Sequence, residues 1–467
     1  MENDELKLIE KRFGYKNTNG WTRLKNEERE KVFKLAEDYK LFMTECKTER
    51  EVAEKIIKIA EENGFINIET ASNLKPGTKV YYNNKGKSVV MAVVGKQSLQ
   101  YGFKAVAAHI DSPRIDLKPN PMYEEGGICL LKTHYYGGIK KYQWVTIPLA
   151  LHGVIIKGDC EKISFKLGED ESDPVFYITD LLPHLAKDQM EKKMSEAISG
   201  EALNAVIGNI PLSDEITVKP NLLKLLNETY GIVEEDFLSS ELELVPAYKP
   251  RDIGFDRSMV GAYGQDDRVC AYTALRGILD VENPEKTAVA IFADKEEIGS
   301  MGNTGLQSRF FENAIAEILE KHEGTTDIKL RRTMNNAELL SADVNSAFDP
   351  SYPDVSEKLN TAYIGNGVCL TKYTGARGKS GSNDANAEFV GKIRKLFNNN
   401  SIIWQTGELG KVDIGGGGTV AQFAANYGME VIDCGVALLS MHSPYELSSK
   451  LDIYMAYKAY MTFMQNK

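Results

Sequence analysis

The chain has 467 residues, 42% of them hydrophobic and 26% charged, with a mean hydropathy of −0.32. That length exceeds what one ordinary core serves, so two domains, or one domain with a large insertion, are expected. A net charge of −11 argues against nucleic acid as the main partner, and no stretch approaches the ~20 consecutive apolar residues of a membrane span.

The first segment, MENDELKLIEKRFGYKN, is acidic, helical in pattern and without an apolar core, so no signal peptide is expected there. Two helices are predicted next, in EEREKVFKLAEDYKLFM and in EREVAEKIIKIAEENG, the second closed by Gly64. Short apolar runs then read as strands: KSVVMAVVG, FKAVAAHI, TAVAIFAD, AELLSADV and MEVIDCGVALLSMHS. RVCAYTALRGILDV and GTVAQFAANYG read as helices between some of them, which predicts an α/β fold with a sheet covered on both faces. Residues 114–249 differ in texture: YQWVTIPLALHGVIIKG and KISFKL are strand-like, and a polar helical stretch is expected from Asp180 to about Ala205. This is too long for a loop and predicts a domain inserted into one formed by 1–113 and 250–467. The six cysteines (Cys46, Cys129, Cys160, Cys270, Cys369 and Cys434) include no Cys-x-x-Cys pair, which suits reduced thiols in a cytoplasm and offers no thiolate metal site.

Polar residues collect where the apolar runs stop. FKAVAAHIDSPR delivers His109 and Asp111, AYGQDDRV delivers Asp266 and Asp267, and TAVAIFADKEE delivers Glu296 and Glu297. AELLSADVNSA adds Asp343, and VALLSMHSPYE adds His442. In open α/β sheets ligands bind beyond the carboxyl ends of the strands, so these distant residues are expected to converge. Two histidines with several carboxylates form a donor set for divalent metals that prefer nitrogen and oxygen. Two metals ~3.5–4 Å apart need one shared carboxylate and a histidine and carboxylate each, which leaves one glutamate free to act as general base. Asp111, two residues past His109, is placed to accept the second imidazole N–H. Taken singly, each residue has an ordinary explanation: a hydrogen-bonded histidine, a helix-capping Asp266, a turn Asp343, a surface glutamate pair. The ordinary explanations do not account for four apolar runs that all end in potential ligands.

HIDSPRIDLKPNP, GQDDRVCAYTAL, DKEEIGSMGNTG, SADVNSAFDPSYPD and MHSPYELSS, in that order from His109 to the C-terminus, resemble the aspartyl aminopeptidase (aminopeptidase I) family of dinuclear zinc exopeptidases. The resemblance implies a zinc-exopeptidase-like αβα sandwich with a mixed sheet, and a β-rich dimerisation domain in the insertion. It implies two divalent metal ions per chain, zinc first and cobalt or manganese as alternatives. His109, Asp266 and Asp343 would hold one; Asp266 would bridge to the other, completed by Glu297 and His442. Glu296 becomes the general base and Asp111 the residue that orients His109. The implied activity is hydrolysis of the N-terminal peptide bond of peptides, with a preference for acidic first residues; Arg377 and Lys379, in TGARGKSGSND, offer cations for such a side chain and equally read as residues of a solvated loop. Dimers are expected to build a dodecamer. His184, in LLPHLAKDQM, reads as the start of a surface helix.

A different class stays open at this point. VDIGGGGTVA places Gly416, Gly418 and Ala421 in the Gly-x-Gly-x-x-Ala spacing of dinucleotide-binding turns, and Asp433 ends the next apolar run where a ribose-binding acid would stand.

Overall fold

The computed structural model describes residues 9, 10, 12–15, 17–213 and 217–466; the helical pattern of the first seventeen residues falls largely outside these. Both long helices that follow are set by apolar spacing. α1 (Asn26–Glu45) buries Val32, Ala36, Tyr39 and Met43 on one face. α2 (Glu49–Glu62) begins at a capping box in which the Thr48 hydroxyl accepts the Glu51 N–H and the Glu51 carboxylate accepts the Thr48 N–H. It stops at Asn63 and Gly64, the latter at a φ of 81° that favours glycine.

The main sheet has nine strands: β1 (Ile66–Asn67), β2 (Lys79–Asn84), β3 (Ser88–Val93), β4 (Lys104–His109), β5 (Ala288–Ala293), β6 (Glu338–Ser341), β7 (Val368–Thr371), β8 (Trp404–Thr406) and β9 (Glu430–Gly435). Their order is β1-β2-β3-β5-β4-β6-β9-β7-β8. The central four, β5-β4-β6-β9, run parallel, while β3 and β7 pair antiparallel with them. Strands buried on both faces need apolar side chains on both faces. In β4, Val106 and Ala108 pack with α1, α2, α3 (Gln265–Leu279) and α4 (Lys450–Gln465), whereas Ala105 and Ala107 pack with the helix Phe310–Glu323 on the other side. The result is the expected αβα sandwich around a mixed sheet.

Between β4 and β5 the chain builds a second sheet. Strand Ser240–Pro246 pairs antiparallel with Arg114–Glu125 on one side and Pro148–Ile156 on the other. The ring through Ile128–Tyr136, Ala205–Gly208 and Phe176–Ile178 thereby closes into a small barrel, with Lys162–Leu167 outside it. Its core holds a fully buried Trp144. The polar helix expected from Asp180 to Ala205 is not there. The segment makes only two four-residue helices, Lys187–Met190 and Met194–Ala197, and a turn at Gly200–Ala202. Leu181, Leu182, Leu185, Met190 and Met194 are all exposed, so no apolar stripe supports a longer helix, and short unsupported helices are marginal. The helix predicted for GTVAQFAANYG is likewise short, Ala421–Ala425.

A third sheet, of order Arg251–Ile253, Met259–Ala262, Glu446–Ser449, Ala437–Leu439, Asn345–Ser346, lies beside the main one. It carries the hairpin that holds His442 and, through the pair Ala262–Glu446, sets that hairpin against the start of α3. No helix among the described residues is long and apolar enough to cross a membrane.

Candidate active site

Three neighbouring parallel strands deliver residues to one place. His109 is the last residue of β4. Glu296 and Glu297 form the turn after β5, entered through Lys295 at φ 66° and left through Gly299 at φ 92°. Asp343 follows β6 by two residues. Asp266 comes from the first turn of α3, where its ψ of 106° leaves the helix path, and the Asp266–Asp267 peptide is cis. His442 completes the group from the hairpin between Ala437–Leu439 and Glu446–Ser449.

The Asp266 carboxylate lies between the two imidazoles. Its Oδ1 is 3.2 Å from His109 Nε2 and its Oδ2 is 3.2 Å from His442 Nε2. Glu297 Oε2 lies 3.5 Å from His442 Nε2, and Glu296 Oε2 lies 3.9 Å from His109 Nε2. Ligand atoms of His109, Asp266 and Glu297 fall within 4.8 Å of one another, as do those of His109, Asp267 and Asp343. Asp343 therefore groups with Asp267 as well as with His109, which the sequence did not indicate. Asp267 Oδ2 accepts the His109 N–H at 3.3 Å, and its Oδ1 is buried without a partner.

Both rings have a fixed tautomer. His109 Nδ1–H donates to the Asp111 carbonyl at 3.0 Å and sits 3.3 Å from Asp111 Oδ1. His442 Nδ1–H donates to the Gly138 carbonyl at 2.7 Å. Each Nε2 thereby faces the carboxylates and is the nitrogen that would meet a metal once its proton is displaced. Asp111 also accepts the Glu296 and Glu297 N–H groups, at 3.1 and 3.2 Å, so it holds the paired-glutamate turn as well as the ring.

The electrostatics call for a cation. Asp111, Asp266, Asp267, Glu296, Glu297, Asp343 and Glu446 crowd around two imidazoles. Burial, with the charges of Asp111 and Asp266, outweighs His109 and pushes Glu296 up to about 7. Burial likewise raises Glu297, Asp267 and Asp343 well above the carboxylate range. Burial lowers His442, but Asp266 and Glu297 together raise it to about 10. Glu297 Oε1 is buried with no hydrogen-bond partner. Buried carboxylates without compensation are costly, and an oxygen-and-imidazole donor set with orphaned oxygens fits divalent cations.

Comparison with known proteins decides the family. Residues 42–464 match the aminopeptidase I zinc metalloprotease family, peptidase M18. The chain belongs to peptidase family M18. Among its M18 relatives, a probable M18 family aminopeptidase 1 of Clostridium acetobutylicum is 54% identical over the full length of both chains. One of Thermotoga maritima is 51% identical, over 96% of this chain and 98% of that one. The crystal structure of the M18 aminopeptidase from Thermotoga maritima superposes with a TM-score of 0.93 at 48% identity, covering 97% of this chain and 100% of that one. Yeast mApe1, solved as a dodecamer, shares the fold at a TM-score of 0.74 and 20% identity, over 92% and 96% of the two chains. This M18 member is thus a metal-dependent aminopeptidase, a hydrolase of a zinc metalloprotease family.

Two features of the M18 site were not anticipated from the sequence. Glu446 accepts the His442 N–H at 2.8 Å and the Asp266 N–H at 3.1 Å, joining residues far apart in the chain. Its signal was present, a glutamate four residues past a candidate ligand across a tight hairpin. The segment Tyr136–Gly138 contributes a hydroxyl to Asp111 and a carbonyl to His442. Other expectations lie outside the cluster. His184 is exposed and precedes the nearest helix, Lys187–Met190. Lys379 pairs with Asp384 at 2.9 Å and lies 3.8 Å over Tyr373. Asp433, the ribose-binding acid of the dinucleotide reading, is buried inside β9 and accepts from Thr419 at 2.7 Å, so it is not presented to a ribose.

Proposed function

We propose that this aminopeptidase uses two divalent cations per chain, zinc first among them, held by His109, Asp266 and Asp343 and by Asp266, Glu297 and His442. One observation carries the reading: a single carboxylate, Asp266, stands 3.2 Å from both imidazoles, with Glu296 beside them. Such cations, when bound, make a nucleophile of a water near neutral pH and stabilise charge on the carbonyl oxygen. Glu296 accepts the proton of the attacking water and returns it to the leaving amine. Asp111 keeps His109 oriented throughout. The surrounding carboxylates attract a free α-amine, which restricts cleavage to the first peptide bond. Metal analysis after reconstitution with zinc, cobalt or manganese, combined with Glu296→Gln, tests the assignment. A folded protein that holds no metal, or a Glu296→Gln variant with full turnover, rejects it.

The reading extends to substrate and assembly. With Lys379 engaged by Asp384, Arg377 is the cation assigned to an acidic first side chain. Equal kcat/KM for aspartyl and leucyl substrates, or no effect of Arg377→Ala on their ratio, rejects that assignment. The barrel unit, 114–249, serves as a dimerisation domain, and dimers build a dodecamer. Exposed Leu181, Leu182, Leu185, Met190 and Met194 on the barrel, and the dodecamer of yeast mApe1, support this. A monomer in sedimentation would refute it. Six unpaired cysteines, five of them buried, accord with a cytoplasmic setting.

A further inference from the structure

The barrel meets the αβα sandwich at the site itself. Strand Ile128–Tyr136 runs into Gly137 and Gly138, and these three residues touch both histidine systems. Tyr136 donates its hydroxyl to Asp111 Oδ2 at 2.8 Å. The Gly138 carbonyl accepts from His442 at 2.7 Å. Between them Gly137, at φ 71°, passes so close that a Cβ there would stand 3.2 Å from Glu297 Oε2 and 3.3 Å from Glu297 Cβ. A Cβ on Gly138 would meet His442 Nδ1 at 3.4 Å. The tyrosine is itself held from behind. Arg114 lies 3.8 Å over its ring and is bound to Glu49 at 3.3 Å, Glu243 at 3.2 Å and Asp116 at 2.9 Å.

We infer that Tyr136–Gly138, supplied by the barrel, is a positioning element for the aminopeptidase site: Tyr136 fixes Asp111 and through it His109 and the Glu296–Glu297 turn, while Gly138 fixes the ring of His442. The inference rests on the roles proposed above for those residues. Its physical basis is that a ligating imidazole keeps its orientation and tautomer only while its second nitrogen has a partner, and that partner needs fixing in turn. Asp111 holds three groups at once: the His109 ring, through its carbonyl and Oδ1, and the Glu296 and Glu297 N–H groups, through its carboxylate. Losing the tyrosine hydroxyl frees the carboxylate to rotate, and the glutamate turn that hangs from it loosens with it. The geometry of proton transfer is then lost before the binding of substrate.

Tyr136→Phe keeps the ring beneath Arg114 and removes only the hydroxyl. The expected result is a fall in kcat of about 10–100-fold and a weakening of Co(II) affinity, read by equilibrium dialysis, of similar size. KM should move by less than about threefold, since an interaction made in the transition state is lost rather than uniform binding. Tyr135→Phe, the neighbouring half-exposed ring, should change none of these. Wild-type kcat and Co(II) affinity in Tyr136→Phe, or an equal loss in Tyr135→Phe, would overturn the inference. Should Tyr136→Phe fail to fold, Gly137→Ala carries the test: weakened Co(II) binding in a folded protein supports the inference and unchanged binding overturns it. Failure of the underlying reading looks different, because the wild-type protein would then bind no Co(II) at all.

Discussion

Glu296 stands 3.9 Å from His109, Oε2 to Nε2, beyond a hydrogen bond and close enough for both to face one shared space. Glu297, one residue later, turns instead to His442 at 3.5 Å. Replacing each with glutamine should therefore give different defects. Glu296→Gln should lower kcat by about 10²–10⁴-fold with metal content unchanged. Glu297→Gln should lose metal and turnover together. Elemental analysis beside steady-state kinetics separates the two, and identical behaviour of the pair would remove the proposed division of labour.

Metal should also be a stabiliser. Burial drives Glu297, Asp267 and Asp343 toward the neutral acid, and a bound cation would favour their charged form instead. A ligand that binds only the folded state at 100 times its Kd adds about 2.7 kcal/mol. Chelation should abolish activity and lower the thermal midpoint, and zinc, cobalt or manganese should restore both. A midpoint indifferent to chelator in calorimetry would contradict this.

Glu446→Ala removes the acceptor of both the Asp266 and the His442 N–H groups while leaving every proposed ligand side chain in place. Activity should fall about 10–100-fold, with metal affinity falling in parallel. Isothermal titration with Co(II) would show it. An unchanged affinity would make Glu446 a residue of the hairpin alone.

The contact between α2 and the barrel should be pH-sensitive. His152 is fully buried, with Nδ1 2.8 Å from Glu51 and Nε2 3.0 Å from Glu169. Lys47 lies 2.7 Å from Glu169, and Lys166 lies 4.0 Å from Glu51. Burial pulls the imidazole down, but the two carboxylates raise it above its ordinary 6.5. Its stabilisation is therefore complete below pH 6.5 and disappears as pH rises through the raised value. Glu51 and Glu169, both held below their ordinary 4.5, add stability above pH 4.5 and lose it as pH falls through their lowered values. The thermal midpoint of His152→Gln should consequently lie furthest below wild type between about pH 5 and 6.5 and approach it at alkaline pH. A gap that stays constant from about pH 5 up to alkaline pH would show that the ring acts by packing.

His109, Glu296 and Asp343 were legible because each stands at or just beyond the end of an apolar strand, and parallel strands that pair side by side put such ends in one place. Asp111 was legible for a reason that only half holds. β4 stops at His109 rather than continuing, yet the turn still brings the carboxylate to 3.3 Å of the ring. Gly138 was not legible, because it acts through its carbonyl, a group every residue carries. Asp267 stands next to Asp266 in the chain, and only the fold reveals that it groups with His109 and Asp343. The stretch from Asp180 to Ala205 misled because helix-forming residues without a buried face do not make a long helix.

The barrel begins and ends at one seam, with Ile115 opposite Leu244 and Asp116 opposite Glu243. A module whose entry and exit strands are hydrogen-bonded to each other can be excised on paper by joining two nearby points, leaving the host sheet continuous. Such a shortened chain would retain every proposed ligand and the base, yet lack the backbone oxygen that orients His442 and the phenol that steadies Asp111. A minimal enzyme made by trimming at this seam is therefore a poor engineering target unless those two groups are resupplied.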